Sequence, residues 1–128
     1  MTKVLLSIKP EFANKIFDGT KKFEYRKVLF HRSDISRVVV YVSYPVQRVI
    51  GEFTIDDIVS GTLSAVWAET AESSGISHDF FMSYFSGRTT AHAIKVGTIT
   101  KYRRARPLLH YSVKHAPQSF VYVEDGVE

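Results

Sequence analysis

Lys21, Glu24 and Arg26 set two cations and an acid side by side in the stretch GTKKFEYRK, Gly19 to Lys27. Each type has a chemistry of its own. A lysine beside a partly desolvated pocket can give up its proton near neutral pH and then act as a base. A carboxylate can carry a proton, or accept hydrogen bonds from an exocyclic amine as acids do from cytosine N4. An arginine grips phosphate with parallel N–H donors. The plainer reading stays open beside this one: Lys21 as a surface turn lysine, and Glu24 with Arg26 as an exposed charge lattice worth little.

Other candidates are scattered along the chain. Ser43 and Tyr44 stand at the carboxyl end of a valine-rich segment, with Ser119 in a position to lie opposite. These hydroxyls either line a pocket rim or satisfy turns. Tyr44 or Tyr84 could stack on a base, a contact worth about 1–3 kcal/mol. His92, between Ala91 and Ala93, is either a satisfied interior histidine or a ligand-facing hydrogen bonder and general base. The five histidines show no metal-ligand spacing, so no metal or cofactor is assigned. Lys101, Arg103, Arg104 and Arg106 form either a solvated charge run or a phosphate footprint, which supplies affinity without sequence choice.

The elements that would carry these residues can be read from periodicity. KVLLSI, residues 3 to 8, reads as a buried strand, and Pro10 opens a helix to about 18, where its missing N–H does no harm. Phe12 with Ile16 and Ala13 with Phe17 give it one apolar face, and Gly19 stops it. Residues 22 to 26 alternate as a half-exposed strand, Phe23 and Tyr25 inward, Lys22, Glu24 and Arg26 together on the other face. A central strand is expected over 37 to 43, ended by Tyr44-Pro45. An extended segment follows over 47 to 58, bent at Gly51.

Helices are expected over 62 to 72 and 78 to 85, the second capped by Ser77. Trp67 and the aromatic face of Phe80, Phe81, Tyr84 and Phe85 read as core packing. An exposed aromatic face there would instead mark a dimer surface. Strands over 91 to 99 and 119 to 123 complete the set, with an extended basic run at 101 to 106 between them.

Length and charge narrow the class. The 128 residues suit one domain, 1 to 128, with one core. With no cysteine there is no disulfide framework and no thiol nucleophile. The opening residues read as a strand rather than a signal peptide, and no run is long enough for a membrane helix, so a cytoplasmic location is the default expectation. The formal charge of +4 is uneven. Residues 1 to 32 hold eight Lys/Arg against three acids, the middle is slightly acidic, and the last third is basic again. If the two basic segments meet they form a rim suited to phosphates; otherwise they are solubilising charge. Strands without regular βαβ alternation, and few helices, point to an α+β fold: a small, mostly antiparallel, partly closed β-barrel with about three flanking helices.

LSIKPEFANKIFDGTKKFEYRK resembles the opening of an ASCH domain, in the PUA-like superfamily, whose signature is similar to G-x-K-x-x-E-x-R. Gly19, Lys21, Glu24 and Arg26 occupy it here. SYP, IGEF, SGIS, GRTTAHAIKVG and APQSF follow in plausible order along the chain. The resemblance implies a PUA-like barrel and RNA binding in translation-related or regulatory roles. One enzymatic branch hydrolyses the acetyl amide of N4-acetylcytidine with a lysine, a threonine three residues on, and a glutamate from a following helical region. Lys21 matches that lysine, Glu24 stands where the threonine would be, and Glu72 is the nearest remaining acid. A carboxylate there changes the chemistry, which weakens the amidohydrolase reading more than RNA binding.

The leading expectation is therefore an RNA-binding module, a monomer or weak homodimer, with a polar cleft that reads one nucleotide. Lys21, Arg26 and the 101 to 106 run would hold phosphates while Glu24 reads a base. The alternative is a hydrolase of a modified nucleoside, with Lys21, Glu24 and Glu72 as its catalytic groups, or a ribonuclease with His92 as base. A protein-protein adaptor on the same scaffold is the third.

Overall fold

The computed structural model describes residues 1–124. In chain order the elements are β1 (Thr2–Ile8), α1 (Pro10–Phe17), β2 (Phe23–Arg26), β3 (Arg37–Val42) and β4 (Arg48–Thr62). They continue with α2 (Leu63–Thr70), α3 (His78–Tyr84), β5 (Thr90–Arg106) and β6 (Val121–Glu124), with short 3-10 turns at Ala71–Ser73 and Leu108–Tyr111. Local chemistry explains the helix ends. Pro10 opens α1, and Gly19, at φ +88°, takes the left-handed turn just beyond it. The Thr62 and Ser77 side chains accept from the backbone N–H groups of Ala65 and Phe80 and so cap α2 and α3.

The strands form one six-stranded mixed sheet in the order β2-β5-β4-β3-β1-β6. Its β1–β3 pair is parallel and the remaining pairs are antiparallel. Both faces of β1 and β3 are covered. Val4, Leu6, Ile8, Val38, Val40 and Val42 pack on Ala13 and Ile16 of α1. Leu5, Val39 and Tyr41 pack on the other side against the Leu108–Tyr111 turn. Burial on both faces is why these two strands read as near-continuous apolar runs. A second cluster sets Val66 of α2 and Phe81 and Phe85 of α3 on Phe23, Tyr25, Ala91 and Ala93.

The expected barrel closure does not occur. β2 and β6 stand at opposite ends of the strand order, and no backbone ladder joins them among the described residues. Each is only four residues long. A side chain spans the gap instead: the Arg26 guanidinium of β2 donates to the backbone oxygens of Ser7, 3.4 Å, and Ser119, 2.8 Å. The molecule is an α+β fold with an open sheet and flanking helices.

β4 and β5 run further than their periodicity suggests, because the basic run 101–106 pairs with the start of β4, Gly51 against Lys101 and Val49 against Arg106. Register shifts bend both strands. Gly51 sits at one of these bends, where an added Cβ would come within 2.4 Å of the Thr100 carbonyl and 2.7 Å of the Phe17 ring.

Candidate functional site

β2 is buried along its whole length, Glu24 and Arg26 included, so the expectation of a half-exposed strand is corrected. Its charged face looks into a cavity rather than into bulk water. That cavity, of about 210 Å³, lies between the end of β1, α1, β2 and α3. Lys21, Glu24 and Arg26 converge on it, Lys9 and Gln118 stand exposed at its mouth, and Phe12, Ile76, Phe80 and Tyr84 supply apolar wall. It is smaller than the pockets of about 300–1,000 Å³ that hold drug-sized ligands.

Lys21 lies just past the stop of α1, its N–H bonded to the Lys15 carbonyl at 3.0 Å. The side chain is 2% exposed and runs directly beneath Gly75. Its Nζ donates to the Ser74 carbonyl at 2.7 Å and lies 4.8 Å from the Tyr25 ring centre and 5.3 Å from that of Phe12. Burial pulls its pKa down to about 8; the Glu24 charge opposes this and Lys15 adds to it. The residue is thus poised to exchange a proton near neutral pH.

Glu24 is held through one oxygen. Its Oε2 accepts from Arg26 Nη1 at 3.0 Å. Its Oε1 has no hydrogen bond among the described residues and is not sealed from solvent, which leaves it open to the cavity. Arg26, fixed by the Ser7 and Ser119 carbonyls, serves as the brace. Beneath them Tyr25 reaches Thr70, 2.8 Å away. Thr70 spends its own proton on the Val66 carbonyl, so the Tyr25 hydroxyl is the donor. Burial raises the Tyr25 and Tyr84 pKa values, and both stay protonated. Counting Lys9, Lys21 and Arg26 against Glu24, the cavity favours an anionic group.

The other sequence candidates lie elsewhere. Glu72 is exposed on the 3-10 turn after α2 and lines a shallower depression with Lys15, Thr20 and Ser77. Ser43 turns its N–H to the Ile8 carbonyl, and Tyr44 is 78% exposed beside a cis Pro45. His92 pairs through Nδ1 with Ser60 Oγ at 2.7 Å, and burial lowers its pKa. Lys101, Arg103 and Arg104 are exposed on β5, whereas Arg106 lies over the Tyr102 ring and bonds Tyr111. Ser119 does reach the site, but through its backbone oxygen.

Sequence reasoning missed the roles of Phe12, Phe80 and Gln118 at the cavity. It also missed a second polar cluster around the buried Glu52. There Lys3, Arg37 and Tyr102 all donate to the carboxylate. Desolvation raises the Glu52 pKa, but the bonds from Lys3 and Tyr102 outweigh it and the net shift is downward. Every oxygen is engaged, so this cluster ties β1, β3, β4 and β5 together rather than offering a site.

The fold recurs in known structures. ASCH from Zymomonas mobilis superposes with a TM-score of 0.86 at 25% identity, over 95% of this chain and 87% of that one. The ASCH domain-containing ribonuclease of the same species is 30% identical over 91 residues, 71% of this chain and 62% of that protein. The large ribosomal subunit protein uL22 of Ureaplasma parvum is 30% identical over 125 residues, 94% of this chain but only 39% of that protein. The chain therefore spans less than two thirds of the length of both curated relatives. No protein-family model matches it. The chain belongs to the ASCH domain family, with a fold related to the PUA-like group.

Proposed function

We propose that the chain is a ribonuclease that binds RNA at the Lys21–Glu24–Arg26 cavity. The observation that carries this is the pairing of an open, braced carboxylate oxygen with a buried lysine of near-neutral pKa in one cationic cavity. The relative named as a ribonuclease supports it. Glu24 Oε1 takes the proton of a ribose 2′-hydroxyl as that oxygen bonds to phosphorus. The P–O5′ bond breaks, and the Lys21 ammonium gives its proton to the departing O5′. Lys21 and Arg26 balance the charge that builds on the phosphoryl oxygens. The products are a 2′,3′-cyclic phosphate and a 5′-hydroxyl.

The test is incubation with a short RNA and its 2′-deoxy counterpart, followed by end-group analysis. RNA is cleaved to those termini and DNA is left intact, while Glu24→Gln and Lys21→Met each slow cleavage at least about a hundredfold. Salt-sensitive RNA binding without cleavage would instead make the chain a recognition module. A second reading, hydrolysis of an N4-acylated cytidine, is favoured by the aromatic wall and by Lys21 at the signature position. Acetate release from N4-acetylcytidine, lost in Lys21→Met, would select it.

A further inference from the structure

We propose that Phe80, backed by Tyr84, is the base-holding wall of this cavity, laying one unstacked nucleobase of the RNA flat against the Phe80 ring. The inference rests on the RNA reading above and adds to it the group that is gripped beside the phosphate. Lys21, Glu24 and Arg26 account for proton transfer and for anion binding. They give no reason for aromatic rings at the same opening.

The exposed part of Phe80 is not required there by the core. Phe81 and Phe85 of α3 are fully buried and fill the space beneath the helix, while Phe80 is 37% exposed. One helical turn from Phe80, Tyr84 turns its ring to the cavity as well. Their planes lie within 9° of parallel with centroids 6.4 Å apart, so the two rings stack and Tyr84 backs Phe80, whose exposed part can take one planar group. Phe12 meets Phe80 edge-on at 5.2 Å and fixes it from behind. Lys27 Nζ lies over the Tyr84 ring at 4.8 Å, and the Tyr84 hydroxyl donates to the Tyr25 carbonyl at 3.3 Å. The pair is thus preorganised. Single-stranded nucleic acid is held in this manner, by phosphate contacts combined with rings on which bases stack. Because every base has a π-face, such a wall grips without strong sequence choice.

The probe is a 2′-O-methyl RNA oligonucleotide carrying one 2-aminopurine, which cannot be cleaved through its 2′-oxygen. Binding to the wild-type chain should quench the fluorophore. Phe80→Ala should weaken binding about tenfold and abolish the quench in a chain that still melts cooperatively above the assay temperature, and Phe80→Tyr should restore both. Equal affinity and equal quenching in Phe80→Ala would overturn the inference while leaving the RNA reading intact. Absence of both probe binding and cleavage of unmodified RNA would remove that reading, and this inference with it.

Discussion

At the scale of single residues, the burial of Lys21 works against stability. An ammonium 2% exposed keeps one hydrogen bond, to Ser74, and two ring faces in place of its hydration. Its pKa of about 8, against the ordinary 10.5, corresponds to about 3 kcal/mol of folding free energy spent on burying the charge. Below pH 8 the ammonium is charged in both the folded and unfolded chain, and the cost is present in full. It fades as pH rises from 8 to 10.5, where the folded side chain is already neutral and the unfolded one is still protonated. Lys21→Met removes the charge and loses the Ser74 bond, which with a charged donor is worth about 1.5–3 kcal/mol. Urea unfolding should show the variant more stable by at most about 1 kcal/mol at pH 7, the gain shrinking towards pH 10. The same variant is expected to be inactive. In the wild type, ribonuclease activity should decline with a midpoint near pH 8, since the leaving oxygen needs the protonated lysine. A rate that climbs through pH 9 would remove Lys21 from the acid role.

At the scale of elements, the segment between α2 and α3 aims that lysine. Lys22 N–H bonds the Ser73 carbonyl, Lys21 Nζ the Ser74 carbonyl and Lys15 Nζ the Gly75 carbonyl. Gly75 has φ +72°, and a Cβ there would stand 2.7 Å from Lys21 Cβ and Cγ. Gly75→Ala therefore strains the backbone and pushes on the lysine together. It should cost about 1–3 kcal/mol in chemical denaturation and, under the role proposed for Lys21, depress kcat more than KM. An unchanged kcat would show that the segment does not position Lys21.

Much of this element layout was legible in the sequence. Pro10, Gly19 and Ser77 mark helix ends by local chemistry, and the bend at Gly51 is where the Thr100 carbonyl approaches. What alternation does not tell is what covers a face. Lys22, Glu24 and Arg26 were grouped on one side of β2, yet only Lys22 stays exposed, because β1 and α3 close over the others. The aromatic run of α3 looked like one core face and divides in two, Phe81 and Phe85 inward, Phe80 and Tyr84 to the cavity. The isolated Glu52 gave no local sign of its cluster, since Lys3, Arg37 and Tyr102 are brought to it by strand register alone.

At the scale of the whole molecule, the sheet stays open and one charged pair takes the place of a closing ladder. Arg26 links β2 to the end of β1 and to the chain entering β6, and its only carboxylate partner among the described residues is the buried Glu24. Truncating one member of such a pair strands the other in a desolvated place, at about 3–5 kcal/mol, whereas replacing both with apolar groups of similar volume can be nearly neutral. Arg26→Ala should therefore destabilise by about 3–5 kcal/mol. The double change Glu24→Leu with Arg26→Met should regain most of that stability while remaining inactive. Hydrogen exchange locates the effect: in Arg26→Ala, protection should fall first in β6 and in β2, the two edges the guanidinium connects, while the β4–β5 pairing keeps its protection. Uniform loss across the sheet would mean that Arg26 supports the core generally. Loss confined to β2 would mean that the bond to Ser119 contributes nothing to holding the far edge. With Arg26 bridging the two edges, the cavity wall and the sheet's remaining gap depend on the same guanidinium, and the double variant separates its charge from its span.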